Sequence, residues 1–141
     1  MITASRHHDI SCGHRVCGHE TKCRHLHGHN YRITFECAGD LDHVGRVIDF
    51  SVIKEKLCMW LENEWGHHFL LWEEDPMAPA LTEIDPTVVL LPFNPTAENM
   101  ATYLAETVAP KQLEGTGVRV VRCTVEETRK CQAEWKLFPV G

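Results

Sequence analysis

The 141-residue sequence contains no apolar run long enough to span a bilayer, and its amino terminus, Met-Ile-Thr-Ala-Ser-Arg-His-His, lacks the hydrophobic core of a secretory signal. Both absences predict a cytoplasmic protein without a membrane partner. There is also no Lys/Arg block, and the formal net charge is −6 with histidine neutral, which argues against a nucleic-acid surface. An anionic small molecule is not excluded, because Arg15, Lys22 and Arg24 could supply local positive charge. The seven cysteines are an odd set with no Cys-x-x-Cys pair, so they read as small core residues, ligands or nucleophiles better than as a disulfide framework. Cys37, Cys58, Cys123 and Cys131 lie inside apolar patterns and are assigned to the core. No repeat or low-complexity segment breaks the chain, and its length suits a single domain, 1–141.

What the chain has in excess is histidine, ten in all. The densest run is Cys23-Arg24-His25-Leu26-His27-Gly28-His29-Asn30-Tyr31. His27 and His29 are two apart, so on a strand both imidazoles project from one face, while Gly28 leaves the opposite face bare. Two imidazoles are half of a metal site, and a catalytic zinc usually takes three protein ligands and keeps a fourth position open. His14, Cys17, His19 and Cys23 all lie within one loop's reach as the third. Cys23 is readable either as a ligand or as a reactive thiol.

Alternation is strict from His27: His29, Tyr31, Ile33, Phe35 and Cys37 continue its face, with Asn30, Arg32, Thr34 and Glu36 opposite. The pattern predicts a strand with the histidines at its end, at the rim of a core. A looser alternation predicts an earlier strand from Met1 to about Cys12. Asp42-His43-Val44-Gly45 marks a turn, Arg46 to Phe50 reads as a short strand, and Ser51 as the cap of a helix. Ile53, Leu57, Trp60, Leu61 and Trp65 carry that helix to about Glu64, and Trp60 and Trp65 read as packing. Trp72 to Pro95 reads as a long acidic connection, interrupted by the apolar Val88–Leu91. Asn94 as cap and Pro95 at the first position start a second helix, with Met100, Ala101, Leu104 and Val108 as its buried stripe and Pro110 as its stop. Strands Val118 to Thr128 and Cys131 to Leu137 complete the order β-β-α-α-β-β. On the first of these, Glu127 continues the apolar stripe of Val121, Cys123 and Val125. A carboxylate there is costly without a partner, which marks it as a functional candidate.

Taken in order, His14, Cys23-x-x-x-His27-Gly28-His29-Asn30-Tyr31, Val47-Ile48-Asp49-Phe50, His67, Asn94-Pro95-Thr96-Ala97-Glu98-Asn99 and Glu127-Thr128 resemble the 6-pyruvoyltetrahydropterin synthase / 6-carboxytetrahydropterin synthase family over nearly the whole chain. The resemblance implies an α+β tunnelling fold (T-fold), a four-stranded antiparallel sheet with two helices on one side. Such subunits assemble as homo-oligomers: trimers closed into a barrel, two trimers stacking as a hexamer, with active sites between subunits. It implies His14, His27 and His29 as Zn2+ ligands, Cys23 as the catalytic thiol and His67 as the catalytic histidine. Glu127 is implied to anchor the pterin's amino-pyrimidine edge, and Thr96 and Glu98 to lie in the motif lining the pterin pocket.

The implied substrate is 7,8-dihydroneopterin triphosphate. The three-residue gap between Cys23 and His27 resembles the bacterial queuosine (7-deazaguanine) branch, a lyase that makes 6-carboxytetrahydropterin and acetaldehyde. The alternative is the 6-pyruvoyl product, with no side-chain cleavage. One departure stands out: Gly66 occupies the place of the family's usual Asp before the catalytic histidine. That predicts a weakened or rewired relay, and it raises a pterin-binding or zinc protein that has lost the chemistry. A closed zinc module using Cys12, Cys17, Cys23 and the histidines is a further alternative, which thiolate bands in a cobalt-substituted sample would reveal.

Overall fold

The computed structural model describes residues 1–138. Two long strands, β1 (Thr3–His14) and β2 (His27–Ala38), pair antiparallel along their full lengths, from Thr3 opposite Ala38 to His14 opposite His27. β5 (Arg119–Glu126) pairs antiparallel with β2, and β6 (Gln132–Lys136) with β5. This antiparallel set of four is the expected one. Two short strands, β3 (Phe69–Trp72) and β4 (Val89–Leu91), join it in parallel, giving a mixed six-stranded sheet ordered β4-β3-β1-β2-β5-β6. The expected four-stranded sheet is therefore extended on one side. Runs of three or four apolar residues without alternation carry no strand signature, and only pairing beside β1 makes strands of them.

Alternation sets the inner face. Tyr31, Ile33, Phe35 and Cys37 of β2, Ile10 and Cys12 of β1, and Cys123 and Val125 of β5 are buried, and the helices cover them. The first long helix runs from Phe50 to Glu64 and buries Ile53, Leu57 and Leu61, with Trp65 just beyond its end. Its cap is Asp49, whose carboxylate accepts from Ser51 N–H at 2.8 Å. The reading of Arg46–Phe50 as a strand and Ser51 as the cap is thus corrected: two capping-type residues lie two apart, and the one whose carboxylate reaches two residues ahead is used. Trp60 and Trp65 pack edge to face at 5.4 Å, as expected for core residues.

The second long helix runs from Ala97 to Gln112 and buries Met100, Ala101, Leu104 and Val108. Thr96, not Asn94, is its cap, accepting from Asn99 N–H at 3.1 Å. Pro110 does not stop it. A π turn over Leu104–Val108 widens the coil just ahead, so the proline sits in the first turn of Ala109–Gln112, where a missing N–H is tolerated. A short helix, Ala78–Ile84, occupies part of the long connection. The observed order is therefore β-β-α-β-α-β-α-β-β. Cys37, Cys58 and Cys123 are buried as expected, whereas Cys131 is exposed in the turn before β6.

Candidate metal centre

β1 ends at His14 and β2 begins at His27, directly opposite it in the register, and His29 follows two residues on, opposite Cys12. The same alternation that buries Tyr31 and Ile33 therefore turns all three imidazoles inward at one end of the sheet. Their ring centroids lie 4.6, 4.9 and 5.2 Å apart. Glu127, just past the end of β5, joins them from the neighbouring strand. Its Oε1 is 3.2 Å from His14 Nε2 and 3.1 Å from His29 Nε2. One donor atom from each of His14, His27, His29 and Glu127 falls within 4.8 Å of the others.

Hydrogen bonding fixes which nitrogen two of the rings present. His14 Nδ1 is 2.7 Å from the Pro95 carbonyl oxygen, and His27 Nδ1 is 2.7 Å from that of His25. A carbonyl only accepts, so both protons sit on Nδ1 and both lone pairs on Nε2. Those two Nε2 atoms stand 3.0 Å apart. Two lone pairs repel at that separation unless a cation or proton lies between them. His29 Nε2 is buried without a hydrogen-bond partner, since the nearby Glu127 oxygen is out of line. Three converging imidazole nitrogens, two with their outer protons tied down and the third orphaned, fit a divalent cation.

Electrostatics point the same way. Burial chiefly holds His29 below the usual imidazole range, with Glu127 opposing it and His14 and His27 adding to the effect, so the ring stays neutral with a lone pair to offer a cation. Glu127 is held below the usual carboxylate range chiefly by the adjacent His14 imidazole, with His29 and His27 adding to the effect and burial opposing it, and it remains an anion. Under the cluster lies Tyr31, fully buried, its hydroxyl 3.3 Å from His14 Nε2. Burial above all, then Cys12, Glu127 and Cys23, raises its ionisation far above normal, so it stays a neutral donor. Cys12 is pushed up to about 12 by burial and stays a thiol. Among the described residues the donor cluster contains no cysteine.

Cys23 is half-buried in a 3-10 turn, Lys22–Arg24, beside the cluster in sequence but outside its donor set. The preceding loop is pinned by a residue that composition did not single out. Asn94 accepts from Cys17 N–H at 2.9 Å and donates to the Cys17 carbonyl at 2.8 Å. With Pro95 holding His14, the segment expected to cap a helix instead orders the ligand and the loop. The Asn-Pro signal is local, whereas its partners lie far away in sequence.

The structure does not bring every expected residue to the cluster. His67 is exposed, in left-handed backbone at φ 59°, with its N–H donating to the Ser11 carbonyl at 2.7 Å. It lines a depression with Ser11, Cys12, Gly13, Gly28, Asn30, His68, Phe69 and Asp85, and His29 of the cluster borders the same depression. The face that Gly28 leaves bare is part of this second surface. Thr96 is occupied as a helix cap, and the exposed Glu98 lines a groove against β6.

The profile of the family described as 6-pyruvoyl tetrahydropterin synthase matches residues 3–137. The 6-carboxy-5,6,7,8-tetrahydropterin synthase of Rickettsia felis is 34% identical over 137 residues, covering 95% of this chain and 99% of that protein. Among solved structures, an uncharacterized protein from Wolinella succinogenes superposes with a TM-score of 0.84 at 22% identity, over 96% of this chain and 97% of that one. The 6-pyruvoyl tetrahydropterin synthase of Caenorhabditis elegans gives 0.67 at 22% identity, over 97% and 96%. These likenesses establish the α+β T-fold for the chain.

Proposed function

Because the chain belongs to the 6-pyruvoyl tetrahydropterin synthase family, we propose that it is a zinc-dependent 6-carboxy-5,6,7,8-tetrahydropterin synthase acting on 7,8-dihydroneopterin triphosphate. The observation that carries the reading is the convergence of the His14, His27 and His29 Nε2 atoms with no thiolate among them. His14, His27 and His29 would hold the zinc, which when bound supplies a Lewis acid that makes a side-chain hydroxyl and the neighbouring C–H more acidic. The 34% identity with the Rickettsia felis enzyme and the short gap from Cys23 to His27 support the carboxy product.

The chain's own groups do the rest. Glu127, an anion at the rim of the cluster, accepts two parallel N–H bonds from the guanidine-like edge of the pterin. Cys23, half-buried and free of the ligand set, removes a proton from the side chain of the substrate. His67 returns a proton on the opposite side. His67 lies outside the donor cluster of its own chain, and in this reading it serves the cluster of a second copy in a homo-oligomer with sites between subunits. Thr96 and Glu98 shape the pocket wall in this reading. Triphosphate leaves by elimination, and one water adds to the side-chain carbon next to the ring as its bond to the next carbon breaks, giving the carboxylate and acetaldehyde while the ring takes up the two electrons to reach the tetrahydro level, a reaction of the lyase class suited to the cytoplasmic queuosine branch.

Incubation of the zinc-loaded protein with 7,8-dihydroneopterin triphosphate, with products identified by mass spectrometry, tests this. The expected result is 6-carboxytetrahydropterin with one acetaldehyde per turnover. A 6-pyruvoyl product without acetaldehyde would move the chain to the other branch of the family. Substrate binding without turnover would favour the impaired homologue that Gly66 raises.

A further inference from the structure

Asp75 is the one carboxylate among the described residues whose side chain is wholly buried, at 0% exposure, and the reaction above makes no use of it. It lies in the turn after β3. Its Oδ1 accepts from an Arg15 terminal N–H at 2.6 Å and from Met77 N–H at 2.8 Å, while Oδ2 has no partner. A buried anion of this kind is retained only with a cation beside it.

The cation looks elsewhere as well. Arg15 follows the ligand His14 in the chain, and its Nε–H donates to the Arg24 carbonyl at 2.8 Å. Arg24 closes the 3-10 turn that carries Cys23. Val16 N–H, next to Arg15, donates to the Cys23 carbonyl itself at 2.9 Å. Arg15 is thus a planar fork with one prong on a fixed, buried acid and the other on the turn of the thiol. The guanidinium geometry suits this, because its donors point in set directions, which a lysine ammonium cannot reproduce.

We propose that the Arg15–Asp75 pair is a positioning device that fixes the Cys23 thiol relative to the His14/His27/His29 cluster. The proposal rests on the reading of Cys23 as the proton-removing group. His14 and Arg15 are consecutive, so the strand end that presents a metal ligand also dictates where the thiol turn sits. Asp75 anchors that arrangement to β3 and away from solvent. Neither Arg15 nor Asp75 touches the reacting atoms; both act through the turn.

Two variants keep the test independent of folding. Arg15→Lys preserves a cation for Asp75 but loses the fork to Arg24. The double variant Arg15→Met with Asp75→Leu removes both charges together, so no unpaired ion is left in the interior. The readouts are the kcat and KM of the metal-loaded protein, and the alkylation rate of Cys23 relative to exposed Cys131 followed residue by residue by mass spectrometry without substrate. The expected result in both variants is a kcat at least about tenfold lower, KM within about twofold, and a changed Cys23/Cys131 labelling ratio, since misplacing a group costs rate more than binding. A kcat and a labelling ratio within about twofold of the parent in either folded variant would overturn the proposal. Cys23→Ala separates the two readings. If it turns over at the parental rate, Cys23 is not the base; if it is inactive while the brace variants are unaffected, only the brace is wrong.

Discussion

Restoring a carboxylate before His67 is the obvious way to repair the relay, and the structure predicts that Gly66→Asp fails. Gly66 is buried at the end of the first long helix, its N–H bonded to the Leu61 carbonyl at 2.8 Å. A Cβ built there would lie 2.7 Å from the Glu62 carbonyl oxygen and 3.3 Å from its carbonyl carbon and Cα. The obstacle is backbone, which no rotamer can move aside. Gly66 is not in left-handed backbone, so steric contact alone excludes a side chain. Forcing an extra carbon into a filled site costs about 2 kcal/mol, which for a domain of this length lowers the melting midpoint by about 6 °C. Gly66→Ala carries the same Cβ without the acid and isolates the steric part. Thermal unfolding of parent, Ala and Asp variants measures the cost, and turnover of each measures any repair. An Asp variant that melts within about 1 °C of the parent would refute the packing argument.

Two further outcomes follow from the geometry. If His67 serves the cluster of a second copy, mixing inactive Cys23→Ala and His67→Ala chains after reversible dissociation restores roughly a quarter of parental activity, the random chance that one site draws both intact residues. No recovery from a mixed oligomer would place both groups in one chain. The turn before the first long helix should also weaken in acid. The Arg46 backbone N–H, with help from Val44 N–H and the Arg46 guanidinium, holds the Asp42 carboxyl down at about 2, below its ordinary 3.8. As pH falls the unfolded chain takes the proton first, so this contribution is complete above about pH 4 and fades toward pH 2. The melting difference between parent and Asp42→Ala should therefore shrink over that window, and a constant difference would contradict it.

What could be read from sequence tracks the range of the interaction. The strict alternation of His27 to Cys37 fixes the inner face of β2, and with it the shared side of two ligands, because strand parity is local. The stripe ending at Glu127 is legible for the same reason, and its carboxylate meets the buried His14 and the half-buried His29. The two caps were misplaced by two residues, each time because another cap-type residue stood nearby and only the tertiary path chooses between Asp49 and Ser51 or Asn94 and Thr96. β3 and β4 are too short to show a period. The pinning of the thiol loop was invisible because Asn94 reaches back 77 positions to Cys17, and Asp75 reaches back 60 to Arg15. Cys131 shows the converse, an apolar-looking neighbourhood that the sheet leaves outside.

The central claim is that three imidazoles hold one divalent ion while the Cys23 sulfur stays off it. Absorption spectroscopy of the cobalt(II)-substituted protein addresses this directly, since only a bound thiolate gives strong ligand-to-metal charge transfer in the near ultraviolet. The expected spectrum has weak visible bands alone, saturating at one cobalt per chain and lost in His14→Ala. An intense near-ultraviolet band that disappears in Cys23→Ala would show the sulfur bound to the ion and contradict the account.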